Sequence, residues 1–201
     1  MIYLIITTSI HSKVGVQDDE HRKARYLECI QTALDLVKDD PMIKPIVVEN
    51  NGARATYLDA LPCAVEYTDN NAQQFWHKGV NELLDVQEIL RRYDVQDDDT
   101  VIKLTGRYKI LSPFFFTIVK DNTHDAYVKF FNVCTLKYVH NDCVLGLVAI
   151  KAKYLKGFEY SGTQSPECDF AQLAHSTNSF LPLTSLELEC CFADDLRLLN
   201  V

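Results

Sequence analysis

The sequence lacks the features by which membrane and nucleic-acid-binding proteins are recognised. It has no apolar run of about 18 residues, which a spanning helix requires, and no basic run longer than Arg91-Arg92. Its 201 residues carry 20 Lys and Arg against 28 Asp and Glu, a formal charge of −8. Because phosphate-binding surfaces need clustered basic residues, we expect no nucleic-acid partner. Because no apolar run is long enough, we also expect no membrane span.

Familiar motifs are missing as well. The seven cysteines show no C-x-x-C spacing, and the sequence has no P-loop, G-x-G-x-x-G or G-x-S-x-G. The sequence therefore lacks the phosphate-binding or nucleophile loops that simple kinases, dinucleotide oxidoreductases and hydrolases usually have. The odd number of cysteines, mostly inside apolar segments, indicates reduced thiols. Since the N-terminal segment is not basic, we expect a cytoplasmic protein without a signal peptide.

The apolar pattern predicts one α/β domain over residues 1–201. Buried strands and amphipathic helices alternate in the first hundred residues, which is typical of a mostly parallel sheet with helices on both sides. The predicted strands there are 2–6, 45–48, 64–67 and 100–105. One predicted helix ends near 37, and a second spans 72–93. The second half is predicted to be more antiparallel. Its predicted elements are strands 126–133, 135–140, 143–152 and 186–192 and a helix at 166–176.

Polar loops follow four of the predicted strands. In a parallel sheet ligands bind beyond the carboxyl ends of the strands, so these loops are the candidate binding residues. They are Thr7-Thr8-Ser9, Glu49-Asn50-Asn51-Gly52, Thr68-Asp69-Asn70-Asn71 and Thr105-Gly106-Arg107-Tyr108. Their hydroxyls, amides and guanidinium suit a base, a sugar and a phosphate. A plain turn also explains Asn50-Asn51-Gly52, and a helix N-cap explains Asn70-Asn71.

Two acidic segments have a structural and a functional interpretation. Asp97-Asp98-Asp99 contains the spacing with which two carboxylates hold a divalent cation, but it precedes strand 100–105. We therefore predict a solvated loop at the far edge of the sheet. Glu167 and Asp169 fall in the first turn of the predicted helix 166–176, where the helix dipole alone accounts for them. Alternatively, one of them accepts a proton as a general base.

The order and spacing of five segments resemble nucleotide-sugar-dependent glycosyltransferases of the GT-A fold, over roughly residues 1–195. The segments are Tyr67-Thr-Asp-Asn-Asn71, Lys78-Gly79-x-Asn-Glu82, Ile102-Lys-Leu-Thr-Gly-Arg-Tyr108, Cys143-Val-Leu-Gly-Leu-Val-Ala-Ile150 and Glu167-Cys-Asp169. Within that class the chain looks like a small group found in viral and bacterial surface-glycan gene sets. This group carries a Lys-x-Thr/Ser-Gly-Arg-Tyr strand, here Lys103 to Tyr108.

The resemblance implies a donor half at about 1–108 and an acceptor half at about 109–201. The implied donor is a nucleoside diphosphate sugar, and the implied acceptor is a hydroxyl of a glycan or glycoprotein. Glu167 or Asp169 is implied as the base of an inverting transfer. The implied donor-binding residues are Thr7, Thr8, Ser9, Glu49, Asn50, Asn51, Asn70, Asn71, Lys78, Gly79, Glu82, Lys103, Thr105, Gly106 and Arg107.

The chain departs from that family at the metal-binding Asp-x-Asp, where it has Thr105-Gly106-Arg107. A requirement for Mn²⁺ or Mg²⁺ is therefore left open, because Arg107 and Lys78 can offset diphosphate charge. Two other functions also stay open. A sugar nucleotidyltransferase needs a glycine-rich phosphate loop after the first strand, for which Ser9 to Gly15 is a poor match. The other is a non-catalytic binding or scaffold protein.

Overall fold

The apolar run at the N-terminus forms the central strand of the sheet. The computed structural model describes residues 1–11, 19–52, 55–72, 77–193 and 195–201. Strand β1, Ile2–Thr8, packs Leu4 and Ile6 into one apolar cluster and Ile5 into a second cluster on the opposite face. A strand buried on both faces reads as a continuous apolar run, which is why the sequence pattern predicted it.

The first half of the chain is parallel, as predicted. Helix α1 spans Asp19–Val37, β2 Ile43–Glu49, β3 Ala64–Tyr67, α2 Lys78–Arg92 and β4 Thr100–Thr105. Strand β1 pairs in parallel with β2 and β4, and β2 pairs in parallel with β3. Thr8 lies opposite Glu49, and Glu49 lies opposite Tyr67. The loops that follow these strands therefore meet at one edge, which we call the carboxyl edge.

The second half is more antiparallel, which is also as predicted. It contains β5 Lys109–Ile110, α3 Phe114–Asp121, β6 Ala126–Val128, β7 Leu147–Lys151, α4 Ala152–Lys156, α5 Pro166–Ser176, β8 Phe180–Pro182, β9 Leu188–Cys191 and β10 Leu198–Asn200. Strand β7 runs antiparallel to β4 and to β6, while β8 pairs in parallel with β6. The main sheet has seven strands in the order β3-β2-β1-β4-β7-β6-β8. A second sheet has the order β10-β9-β5.

Helices cover both faces of the main sheet. Helices α1 and α3 contribute to one apolar cluster, with Ile30 and Phe115 among its fully buried members. Helices α2, α4 and α5 contribute to the other, with Ile89 and Ala171 fully buried. This is the three-layer architecture that alternating strands and helices predict. Within the described ranges, the helices lack the length and hydropathy that crossing a membrane requires.

The strand predicted at 135–140 is wrong. Residues 133–136 form a turn, in which Asn132 Oδ1 accepts hydrogen bonds from the amides of Cys134 at 3.1 Å and Thr135 at 2.7 Å. A side chain that binds the backbone two and three residues ahead competes with strand pairing. Strands 126–133 and 143–152 are also shorter than predicted. Helix α3 was missed because its aromatic start, Phe114-Phe115-Phe116, favours a strand.

The acidic loop 97–99 lies at the amino edge of the sheet, as predicted. Asp99 accepts an ion-paired hydrogen bond from the N-terminal amine of Met1 at 2.9 Å, and Asp97 pairs with Lys156 at 2.6 Å. Asp97 is exposed, whereas the side chain of Asp99 is largely covered by this contact. The Asp-x-Asp spacing is therefore separated from the carboxyl edge by the length of the strands.

Candidate active site

A buried carboxylate joins the loops that follow β1 and β2. Glu49 is fully buried and accepts hydrogen bonds from Thr8 Oγ1 at 2.6 Å, the Ile10 amide at 3.1 Å and the Asn51 amide at 3.2 Å. The side-chain amide of Asn51 donates to it as well. Its oxygen atoms are thus occupied by protein donors. Glu49 and Asn51, both implied as donor-binding residues, instead set the shape of the two loops.

A second buried carboxylate, Asp85 on α2, joins the loops that follow β2 and β3. It accepts hydrogen bonds from Thr68 Oγ1 at 2.6 Å, Asn70 Nδ2 at 2.8 Å and Asn50 Nδ2 at 2.9 Å. Burial raises the pKa of Asp85 to about 7, although the three hydrogen bonds act to lower it. Sequence reasoning missed Asp85. The available signal was an acid within the apolar stripe of a predicted helix.

The asparagines of the third loop do not cap α2. Residues Asn70–Ala72 form a short 3₁₀ turn, and α2 begins at Lys78 after His77. Asn71 Nδ2 donates to Asn51 Oδ1 at 2.6 Å, which links this loop to the loop after β2. The turn interpretation of the second loop is correct, because Gly52 adopts a φ of +67°. A side chain at Gly52 would also collide with Asp69.

A buried ion pair connects α2 to β4. Lys103 pairs with Glu82, and its ammonium donates to Thr105 Oγ1 at 2.7 Å and to the carbonyl of Leu145 at 3.0 Å. Thr105 Oγ1 donates to Glu82 at 3.0 Å. Burial acts to raise the pKa of Glu82, but Lys103 and Arg107 outweigh burial and the pKa is lowered. Glu82 is therefore ionised, and its negative charge largely balances the neighbouring ammonium group.

Arg107 is held at the carboxyl end of β4 by its backbone and by its guanidinium. Gly106 lets the chain approach β1, because a Cβ there would lie 3.0 Å from the Thr7 carbonyl. Arg107 Nε donates to the carbonyl of Cys191 at 2.8 Å. Burial acts to lower the pKa of Arg107, but Tyr108, Tyr26 and Glu82 outweigh burial and raise it. The guanidinium is therefore a fixed positive charge.

A cavity of about 190 Å³ opens beside these groups. Its lining brings Glu82, Lys103, Thr105 and Arg107 together with Glu167 from the first turn of α5. The remaining lining residues are His77, Gly79, Tyr108, Val133, Cys143, Val144, Leu145, Gly146 and Pro166. Two cationic and two anionic side chains thus surround one space, contributed by α2, the end of β4 and the start of α5.

Asp169 does not line this cavity. It is buried and accepts hydrogen bonds from the Ser161 amide at 2.7 Å, the Ser161 hydroxyl at 2.9 Å and Gln164 Nε2 at 2.5 Å. Residues two apart on an α-helix point about 200° apart, so Glu167 and Asp169 cannot face the same space. Glu167 lines the cavity together with Arg107, whereas Asp169 holds the segment before α5.

Two helices begin beside the cavity. A Cβ on Gly79 would lie 2.9 Å from Pro166 Cβ, so the first turns of α2 and α5 are in contact only because residue 79 is glycine. His77 precedes α2 and makes no side-chain capping hydrogen bond. Helix N-termini carry partial positive charge and favour anions. Lys78 begins α2, but its side chain lies outside the described residues.

A second, narrower cavity adjoins the first. Arg107 and Glu82 line both cavities. The other lining residues of the narrow cavity are Thr7, Thr8, Ser9, Arg22, Tyr26, Asn50, Asn71, Asn81 and Ala193. Most of the implied donor-binding residues therefore line one of these two cavities. The exceptions among the described side chains are Glu49, Asn51, Asn70 and Gly106, of which the first three hydrogen-bond to residues of the neighbouring loops or of α2. Sequence reasoning missed Arg22 and Asn81.

The carboxylates of this edge do not fit a divalent cation. No group of three or more His, Cys, Asp or Glu side chains in the described part of the chain is placed to hold a metal. Glu49 and Asp85 are saturated by hydrogen bonds, and Glu82 is paired with Lys103. Thr105-Gly106-Arg107 occupies the end of β4, where the resemblance implies metal-binding acids. In the described part of the chain, these three carboxylates therefore offer no free oxygen pair for a divalent cation.

Solved structures with a similar fold include a mannosyltransferase and a synthetase complexed with CTP. Mannosyltransferase PcManGT from Pyrobaculum calidifontis, in complex with GDP-Man and Mn²⁺, aligns with a TM-score of 0.58 at 12% identity, over 90% of this chain and 54% of its own. HddC from Yersinia pseudotuberculosis, complexed with GMP-PN, aligns with a TM-score of 0.54 at 13% identity, over 91% and 90%.

A third structure, CMP:2-keto-3-deoxy-manno-octonic acid synthetase complexed with CTP, aligns with a TM-score of 0.54 at 11% identity, over 90% of this chain and 89% of its own. No protein-family model and no curated protein matches the sequence. At such low identities the likeness shows the fold alone. It confirms the predicted mixed sheet of GT-A type, with its parallel first half and helices on both faces.

Proposed function

We propose that this chain is a glycosyltransferase that moves a sugar from a nucleoside diphosphate sugar to a hydroxyl of a glycan or glycoprotein. The observation that carries the proposal is the cavity that Arg107 and Glu167 both line. Sugar transfer requires positive charge near the departing diphosphate and a base near the attacking hydroxyl. Each side chain supplies one of these requirements.

On the donor side, Arg107 is the group proposed to bind the diphosphate. Lys103 is already balanced by Glu82, so the guanidinium of Arg107 contributes most of the remaining positive charge of the described lining. The adjoining N-termini of α2 and α5 add partial positive charge to the same space. A guanidinium that meets phosphate oxygens stabilises the charge that builds up as the diphosphate leaves.

On the acceptor side, Glu167 is the proposed general base. The acceptor oxygen attacks the anomeric carbon and forms the new glycosidic bond, while Glu167 takes the hydroxyl proton. The bond between the anomeric carbon and the diphosphate oxygen breaks, and its electron pair leaves with the nucleoside diphosphate. Attack opposite the leaving group inverts the configuration. Asp169 is proposed to position the start of α5 and not to take the proton, because its oxygens are occupied.

This assignment divides the chain as the resemblance implies. The donor half, about 1–108, supplies Arg107 and the loops after β1 to β4. The acceptor half, about 109–201, supplies Glu167 and the wall formed by Cys143 to Gly146. The reaction would therefore take place where the two halves meet, within one domain.

Nucleotidyl transfer is a second candidate, because a synthetase complexed with CTP has a similar fold. In that reaction a sugar phosphate oxygen attacks the α-phosphorus of a nucleoside triphosphate. The bond to the β-phosphate oxygen breaks, and pyrophosphate leaves. The same Arg107 would then face the triphosphate.

The experiment that separates these candidates measures products. The protein is incubated with UDP-, GDP-, CDP- and ADP-linked sugars and a panel of glycan acceptors, and in parallel with nucleoside triphosphates and sugar 1-phosphates. Release of nucleoside diphosphate with sugar on the acceptor supports the proposal. Release of pyrophosphate supports nucleotidyl transfer. Nucleotide-sugar binding without either product would contradict both and favour a non-catalytic protein.

A further inference from the structure

A small apolar cavity lies between α2 and β7, next to the cavity that Arg107 and Glu167 line. It measures about 20 Å³, which is room for one group the size of a water molecule. Voids of this size are few in closely packed protein interiors. The apolar side chains of its lining come from α2, the segment before β7, β7, α4 and α5, and each is at most 8% exposed: Leu83, Val86, Leu145, Val148, Ile150, Leu155 and Phe170.

The apolar cavity shares a wall with the larger one. Four residues line both cavities, namely Gly79, Glu82, Lys103 and Leu145. A Cβ on Gly79 would lie 3.4 Å from Leu145 Cδ2, in van der Waals contact with it. Because residue 79 is glycine, no side chain fills the gap between the start of α2 and Leu145. The shared wall is therefore the place where a ligand in the larger cavity meets the apolar one.

The polar groups of the shared wall already have partners. The ammonium of Lys103 contacts Glu82 and donates to Thr105 Oγ1 at 2.7 Å and to the Leu145 carbonyl at 3.0 Å. An ammonium has three protons to donate, so these contacts use all of them. Glu82 accepts a further hydrogen bond from Thr105 Oγ1 at 3.0 Å. The ion pair of this wall therefore has no ammonium proton left for a hydroxyl that enters the apolar cavity.

The surroundings of the apolar cavity select among ligand groups. A water molecule or a hydroxyl in a buried site needs polar partners, whereas a methyl group of about the same size needs none. Burial of a methyl group among aliphatic side chains is favourable, because it removes apolar surface from water. A methyl group therefore suits both the size and the lining of this cavity.

We infer that the apolar cavity binds a methyl group of the transferred sugar, so that the donor carries a methyl-bearing sugar. This inference rests on the proposed function. With the diphosphate at Arg107 and the attacking hydroxyl at Glu167, the transferred sugar lies between these two residues, in the cavity that shares the wall. Two classes of sugar supply the methyl group: a 6-deoxyhexose, at the end of its ring substituent, and an N-acetylated sugar, at the end of its acetamido group.

The test compares donors that differ only in this methyl group, by titration calorimetry. The pairs for the first class are 6-deoxyglucose and glucose, 6-deoxymannose and mannose, and 6-deoxygalactose and galactose. The pair for the second class is N-acetylglucosamine and N-formylglucosamine. Each sugar is linked to UDP, GDP, CDP or ADP. For the nucleotide that binds, the methyl-bearing member of one pair should bind about tenfold or more tightly, and that pair identifies the class of sugar.

Two variants fill the cavity from different elements. Val86→Ile on α2 and Val148→Ile on β7 each add one methyl group to the lining, and either should lower the affinity for the methyl-bearing sugar to that for its counterpart. Two variants are made so that one remains if the other fails to fold. Val119→Ile is the matched control, because Val119 is a buried valine of α3 in the other apolar cluster and lines neither cavity. It should preserve the discrimination found in the wild type.

Tyr160 is the other polar side chain of the lining. Tyr160→Phe removes its hydroxyl and keeps its ring, so this variant should also preserve the discrimination. Loss of discrimination in it would show that a hydrogen bond, and not burial of a methyl group, distinguishes the sugars.

Three further results would overturn the inference. If both members of every pair bind the wild type equally, the proposed function stands and the methyl site is wrong. If discrimination persists unchanged in the folded Val86→Ile and Val148→Ile variants, the apolar cavity is a packing void and another part of the site recognises the sugar. If the folded wild type binds none of the nucleoside diphosphate sugars, the inference and the proposed function fail together.

Discussion

The two edges of the parallel sheet contain the same residue types in different surroundings. At the amino edge, exposed Asp97 pairs with Lys156 in a contact reachable by water and salt, and such pairs contribute about 0–1 kcal/mol. At the carboxyl edge, Glu49 and Asp85 are fully buried and each accepts at least three hydrogen bonds. Removing a partner from a buried charge costs much more. The acidic residues of the amino edge therefore lie on the surface, whereas those of the carboxyl edge hold the loops in position.

The largest difference between the edges is expected in catalysis. Glu167→Gln removes the proposed base but keeps the shape of the side chain, so kcat should fall about 10²- to 10⁴-fold. The dissociation constant for the donor should stay within about threefold of the wild type. Glu159→Gln is the control. Glu159 is an exposed carboxylate in the segment before α5, so this variant should leave kcat unchanged. Full activity in Glu167→Gln would remove the base from the account.

Donor binding should show the next largest effect. Arg107→Met removes the guanidinium proposed to meet the diphosphate, and the affinity for the nucleoside diphosphate sugar should fall about 10- to 100-fold. The measurement is titration calorimetry at fixed ionic strength. Lys156→Met, a cation of the amino edge, should bind the donor like the wild type. Equal losses in both variants would mean that overall charge, and not the position of Arg107, governs binding.

The pH dependence of stability should distinguish the buried carboxylate from the exposed one. The pKa of Asp85 is raised from 3.8 to about 7 in the folded state. Folding therefore disfavours its charged form, so the stability linked to Asp85 is complete below pH 4 and is lost as pH rises through 7. The effect is about 1.4 kcal/mol for each unit by which the folded and unfolded pKa values differ.

Urea unfolding of the wild type and of Asp85→Asn between pH 5 and 8 measures this dependence. Stability of the wild type should fall relative to Asp85→Asn as pH rises over that range. A wild type and an Asp85→Asn variant with identical pH slopes would contradict the raised pKa.

The smallest effect is expected at the amino edge itself. Asp97→Asn removes one exposed ion pair, so the free energy of unfolding should change by less than about 0.5 kcal/mol. Donor binding with and without Mn²⁺ should be unchanged. Loss of Mn²⁺-dependent binding in this variant would show that the metal site lies at the amino edge, opposite to our assignment.

Sequence reasoning succeeded where the determining interactions are local. The run Ile2 to Ile6 and the helical spacing in α1 and α2 predicted the parallel half, because strand and helix periods are visible in neighbouring residues. The carboxyl-edge rule then identified the loops after β1 to β4. Arg107 was singled out in this way. Glu167 was singled out by its place in the first turn of a predicted helix and by the resemblance, and both residues line one cavity.

Sequence reasoning failed where contacts join distant segments. Asp85 meets Asn50 from 35 residues away, and Arg22 lines a cavity with Asn50 from another element. Neither proximity leaves a periodic signal. Asp169 and Glu167 share a helix turn, and only the packing of α5 shows which one faces the cavity. The turn at 133–136 is stabilised by Asn132, whose side-chain bonding overrides the strand-like composition of the segment.

The central claim, that the carboxyl edge is a nucleotide-sugar site, is tested most directly by thermal unfolding of the wild type with nucleoside diphosphate sugars, each with and without Mn²⁺. A ligand present at 100 times its dissociation constant stabilises the folded state by about 2.7 kcal/mol. We predict a selective rise of about 5–10 °C in Tm for the sugars of one nucleotide. A folded protein with the same Tm under all conditions would contradict the claim.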